Sequence, residues 1–118
     1  MNQAEKSILD ELKGRELSAA VFVRDYLQLQ FDGPFLTIFV WPRVKQKGTI
    51  FEFHTPAYRD ALCEQIGKTV GGLIEEIDRR LSLFFTDGSM IEISLLPEDR
   101  KGPEAVLFRS EKGPTVVW

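Results

Sequence analysis

The sequence predicts an α+β fold: a mainly antiparallel sheet of about eight strands with two helices packed on it, arising from an internal αβββ(β) duplication with pseudo-twofold symmetry. Three observations carry this expectation. A segment with helical period precedes several segments of strict alternation, that order occurs twice, and Gly-marked turns fall at matching places in both halves.

The repeat is read residue by residue. Leu27-Gln28-Leu29-Gln30-Phe31 before Asp32-Gly33 matches Leu81-Ser82-Leu83-Phe84-Phe85 before Asp87-Gly88, with one extra residue in the second turn. Leu36, Ile38 and Val40 then match Ile91, Ile93 and Leu95, and Pro42 matches Pro97. Upstream, Leu12 to Leu17 parallels Gln65 to Val70 around Gly14 and Gly67, and the apolar stretch after Gly48 parallels the one after Gly102. A shared order at a near-constant offset is the mark of duplication. The units span residues 1–54 and 55–118 of one domain.

The elements follow in order. Asn2 and Glu5 have the spacing of a capping box, and Ala4, Ile8, Leu9 and Leu12 share one helical face before Gly14, placed as a C-terminal cap. Leu27, Leu29 and Phe31 alternate with Tyr26, Gln28 and Gln30, the pattern of a strand with one face on a core. A second strand runs from Phe35 to Trp41, and another from Thr49 to His54. Thr55 as N-cap and Pro56 as first helical residue open the second helix, which carries Tyr58, Leu62 and Ile66 on one face and ends at Gly67. The strands of the second unit follow, with Asp87-Gly88 as a hairpin turn. Glu104–Arg109 and Thr115–Trp118 are the last two strands.

The two units differ on one face. Where the second unit has Met90, Glu92, Ser94 and Leu96 opposite its core positions, the first has Phe35, Thr37, Phe39 and Trp41. Something must cover those rings: the C-terminal segment, a second core within the chain, or a partner. Clustered aromatics with an adjacent arginine are typical of interface centres, so Phe35, Phe39, Trp41 and Arg43 are the candidate partner-binding residues.

Bulk properties narrow the function. A net charge of −3 and dispersed Lys and Arg argue against a nucleic-acid interface; the nearest cluster is Arg43, Lys45 and Lys47. One cysteine, Cys63, allows no internal disulfide. The polar N-terminus lacks the apolar core of a signal peptide, and no apolar run is long enough to span a bilayer, so the cytoplasm is the expected location.

Catalytic patterns are sparse. Gly67-Lys68-Thr69 resembles the end of a phosphate-binding loop, but Leu62 stands where that loop needs glycine, and a helix cap explains the glycine. Cys63 lies past the first turn of its helix, away from the helix N-terminus that a reactive thiol needs. Glu75 and Glu76 alternate across a strand and cannot share a proton or a metal. The one histidine, His54, is too little for a metal site, so no metal or cofactor is expected. As a base or polar anchor it would work with Glu52 and Asp60 in a pocket where the two units meet.

The second unit, Ile66-Gly67-Lys68-Thr69-Val70 and then Leu81-x-Leu83-x-Phe85-x-Asp87-Gly88-Ser89, resembles a family of small bacterial α+β domains, some of them similar to toxin-immunity proteins. That resemblance implies a protein partner, no cofactor and no catalysis. The expected function is a non-enzymatic protein-interaction domain working by self-association, as a homodimer, or by binding another protein. The alternative is a small-molecule binder or modest enzyme with its pocket near His54.

Overall fold

A computed structural model describes residues 10–118. Among these residues ten strands form two antiparallel sheets of five. The first sheet is ordered β1 (Ala19–Val23), β2 (Tyr26–Gln30), β3 (Phe35–Ile38), β9 (Val106–Arg109), β10 (Thr115–Val117). The second is ordered β5 (Thr49–Phe51), β4 (Arg43–Gln46), β8 (Met90–Ser94), β7 (Arg80–Phe85), β6 (Val70–Glu76).

Each sheet is therefore a three-strand meander completed by a hairpin from the other half of the chain. The meander β1–β2–β3 receives β9 and β10, and the meander β6–β7–β8 receives β4 and β5. The matched prolines Pro42 and Pro97 stand where the chain leaves one sheet for the other. Proline has no amide hydrogen for a ladder, so it suits the end of a strand run.

This arrangement corrects the expected single sheet of about eight strands carrying two helices. Exchange of hairpins splits the strands into two sheets whose apolar faces cover each other. Leu27, Leu29, Phe31, Leu36 and Ile38 from one sheet join Leu81, Leu83, Phe85, Ile91 and Ile93 from the other in a single buried cluster. The inner apolar faces are thus covered by each other rather than by helices, and the described residues are mostly antiparallel sheet with one short α-helix. The predicted first helix falls mainly on residues 1–9, outside the described residues, and its end, Asp10–Leu12, is one turn of 3-10 helix.

The one α-helix among the described residues is α1 (Tyr58–Cys63), shorter than expected at both ends. It begins after Ala57, whose left-handed backbone (φ 68°) breaks the helical path from Pro56. Thr55 is not the N-cap: its Oγ1 accepts the Glu52 amide at 3.0 Å and shapes the approach to the helix. Beyond α1 the chain turns through Gly67 (φ 92°) into a contact with the Gly14 segment. There Gly67 N–H donates to the Leu17 carbonyl at 2.7 Å, and Gly14 N–H donates to the Val70 carbonyl at 2.9 Å. No helix among the described residues is long and apolar enough to cross a membrane.

Candidate functional site

The two sheets present chemically opposite outer faces. On the first, strand register lines up Val21, Gln28, Thr37, Leu107 and Val117 in one row across all five strands. A second row runs Ala19, Gln30, Phe35, Arg109 and Thr115. A third begins Val23, Tyr26, with the Phe39 ring 5.8 Å from that of Tyr26. Arg109 is the single charged residue in these rows. Solvent reaches the edges of the face, where Val21 and Val117 are 39% and 50% exposed, while Thr37 at its centre is buried beneath its neighbours.

Its polar groups bond one another. Gln30 Nε2 donates to Gln28 Oε1 at 2.9 Å, and Gln28 Nε2 donates to Thr37 Oγ1 at 3.4 Å. Part of the hydrogen-bonding capacity of this face is thus met without water. The C-terminal segment does not cover Phe35, because β10 extends the sheet sideways from β9.

The outer face of the second sheet is charged. The row equivalent to Leu107, Thr37, Gln28 and Val21 is Arg43, Glu92, Ser82 and Ile74. Glu92, 14% exposed, is clamped between two guanidiniums. Arg43 Nε and Nη2 both donate to its Oε1, and Arg80 Nη1 donates to its Oε2 at 3.3 Å. Burial works to raise the Glu92 pKa, but the hydrogen bonds and charges of Arg43 and Arg80 outweigh it and hold the carboxyl below its ordinary value. Hydrogen bonding to Glu92 in turn holds Arg43 above its ordinary value against the opposing effect of burial. Arg43 also reaches Glu52 at 3.4 Å. Of the basic cluster, Arg43 is therefore neutralised locally.

Above this row lies a cleft of about 730 Å³. Trp41, Glu52, Phe53 and His54 line it from the β4 side, and Arg79 and Arg80 from the β7 side, with Ser94, Leu96 and Asp99 completing the wall. Trp41 is half-buried in a column of rings rather than displayed on a sheet face. Its indole stacks on Phe22 at 6.4 Å and on Phe53 at 4.7 Å, and Arg59 lies over Phe22 at 6.0 Å.

The four candidate partner-binding residues are thus divided. Phe35 and Phe39 belong to the uncharged face, while Trp41 and Arg43 belong to the cleft. The alternative pocket residues are divided too. Glu52 and His54 line the cleft, whereas Asp60 borders a smaller hollow of about 270 Å³ on the Tyr58 side of Phe53. Sequence reasoning did not connect Arg79, Arg80 and Glu92 to Arg43, or Leu107 and Val21 to Phe35. The signal that joins them is strand pairing, β4 with β8 and β3 with β9, which alternation does not encode.

A third polar cluster is internal. Ser89 Oγ lies 3.2 Å from Lys68 Nζ, a serine–lysine spacing that elsewhere can activate a nucleophile. Here every group is engaged. Lys68 pairs with Asp87 at 2.9 Å, and Ser89 Oγ contacts Asp87 Oδ1 at 2.6 Å and Gln65 Oε1 at 2.8 Å. The hydrogen bond from Lys68, with those from the Ser89 side chain and backbone, holds the Asp87 carboxyl well below the carboxylate range. The cluster ties the β7–β8 turn to the end of α1. Among the described residues no grouping of His, Cys, Asp or Glu is arranged to hold a metal ion.

Comparison with protein-family models, curated proteins and solved structures finds no match to this chain.

Proposed function

We propose that the chain is a non-enzymatic protein-interaction domain that acts by self-association through the outer face of its first sheet. The observation that carries this reading is the uncharged row Val21–Gln28–Thr37–Leu107–Val117, flanked by Phe35, Tyr26 and Phe39, with its glutamines bonded to one another and to Thr37. Five strands at about 4.8 Å spacing and three rows of side chains give a footprint of roughly 24 Å by 17 Å. The footprint, about 400 Å², is the size of the largest patch on a typical monomer, which is often functional; what sets this face apart is its lack of charge.

A second copy is the occupant these features favour. Heterologous partners are usually selected by complementary charge, and this face carries none but Arg109 at its corner. Two such faces related by a twofold axis would stack as a sheet sandwich, with depleted charge at the centre as in homodimers. The non-enzymatic part of the reading is supported by His54, whose ring packs edge-on against Phe53 and has no hydrogen bond among the described residues to orient it as a base.

Sedimentation velocity tests the reading. The wild-type chain is expected to dimerise with rising concentration, and Leu107→Arg to remain monomeric with its thermal unfolding unchanged. Leu107 lies on the outer face of the sheet, where an arginine stem can lie along the surface and carry its charge to water. A wild-type chain monomeric to about millimolar concentration, or a dimer indifferent to Leu107→Arg, overturns the proposal.

A further inference from the structure

We infer that the cleft over the second sheet is a binding site for a small planar molecule bearing one anionic group, a carboxylate or a phosphate. This site lies on the opposite sheet from the self-association face and does not depend on it. Its volume of about 730 Å³ falls within the range of small-molecule sites.

The charge it selects follows from which groups are already committed. Arg43 is held by Glu92 and Glu52, and Arg80 by Glu92 and Glu76. Asp99 accepts the Ser94 hydroxyl at 2.6 Å. Of the charged side chains lining the cleft, Arg79 alone makes no ion pair or hydrogen bond with another described side chain, and it is exposed. Asp99 and Arg79 both lack an ion-pair partner among the described residues, but Asp99 is bonded to Ser94 whereas the Arg79 guanidinium has no side-chain partner there. Arg79 is thus the group free to bind, and a guanidinium matches carboxylate and phosphate oxygens in a two-point fork.

The planar component follows from Phe53. Its ring is fixed by stacking on Trp41, with interplanar angle 16°, yet remains 42% exposed. An aromatic side chain held in place and still wet offers a stacking surface at little further cost in conformational entropy. Phe53 and Arg79 flank the floor formed by Arg43, Glu92 and Arg80 from its two sides, β4 and β7. A ligand with ring and anion at opposite ends meets both.

Two-dimensional amide and side-chain NMR tests this directly, read at the Trp41 indole and the Arg79 Nε–H. The probes are benzoate, phenyl phosphate, the neutral benzamide, and ring-free acetate and inorganic phosphate. Benzoate or phenyl phosphate is expected to shift both signals saturably, and whichever binds more tightly identifies the anion. Benzamide and the ring-free anions are expected to bind at least about tenfold more weakly. Arg79→Gln, which breaks no side-chain hydrogen bond or ion pair among the described residues, is expected to weaken the anionic probe by about tenfold. Phe53→Leu should do the same while leaving the Arg79 signal in place. Absence of saturable shifts with every probe overturns the site. Equal binding of benzamide and benzoate, or full affinity in Arg79→Gln, overturns the anionic class.

Discussion

Arg43 in β4 and Glu92 in β8 are register partners, and two nitrogens of the guanidinium converge on one carboxylate oxygen. The residues come from different halves of the chain, so this pair fastens the donated hairpin to its host sheet. Arg80 holds the other carboxylate oxygen from β7. Glu92→Gln keeps the shape and removes the charge from a group only 14% exposed. The expected loss is about 2 kcal/mol in urea unfolding, the scale of hydrogen bonds to charged groups. Glu52→Gln, removing a carboxylate whose side chain is 60% exposed, should change stability by less than about 0.5 kcal/mol. Equal effects of the two would mean that Glu92 is not the clamp.

Acid sensitivity follows from the same pair and from Asp87. Both carboxyls have folded pKa values below their ordinary 4.5 and 3.8. A depressed folded pKa contributes stability that is present above the unfolded value and lost as pH falls towards the folded one. Stability should therefore fall from about pH 5 downwards, and the slope should be shallower in Glu92→Gln and in Asp87→Asn. Urea midpoints measured across that range decide it. An unchanged slope in both variants would place the linkage elsewhere.

Tyr58 links α1 to the crossover between the sheets, donating its buried hydroxyl to the Pro42 carbonyl. Pro42 cannot itself donate to a ladder, so this bond satisfies the backbone where the chain changes sheets. Tyr58→Phe should cost about 1 kcal/mol by leaving that carbonyl unpaired. Burial pushes the Tyr58 phenol well above its ordinary 10.0. Its contribution is thus complete below pH 10 and declines as alkali ionises the unfolded chain. The difference in stability between wild type and Tyr58→Phe should shrink above that pH; a constant difference would contradict the assignment.

Alternation placed the core well and the surface poorly. Leu27, Leu29 and Phe31, and their counterparts Leu81, Leu83 and Phe85, lie inward because period two depends only on the local chain. Trp41 departs from the pattern because β3 ends at Ile38, after which residues no longer alternate and the indole turns to Phe22 and Phe53. Arg43 facing Glu92, and Leu107 on the face with Phe35, depend on which strands are neighbours. That choice is made by long-range packing of the donated hairpins, and no local signal in the sequence carries it.

The same exchange predicts how the chain behaves when cut. Residues 1–54 alone would leave β3 without β9 and β4 without β8, exposing Leu36, Ile38 and Val44, all buried in the intact chain. Residues 55–118 alone would leave β8 without β4 and the hairpin β9–β10 without a host sheet. Neither fragment should give the near-ultraviolet circular dichroism of packed aromatics. An equimolar mixture should recover it as a one-to-one complex, because each piece supplies the hairpin the other lacks. The cut falls at Thr55, close to Phe53, so the Trp41–Phe53 stacking signal should return with assembly. A first fragment that folds as a monomer with native near-ultraviolet signal would show that hairpin exchange is dispensable to the core.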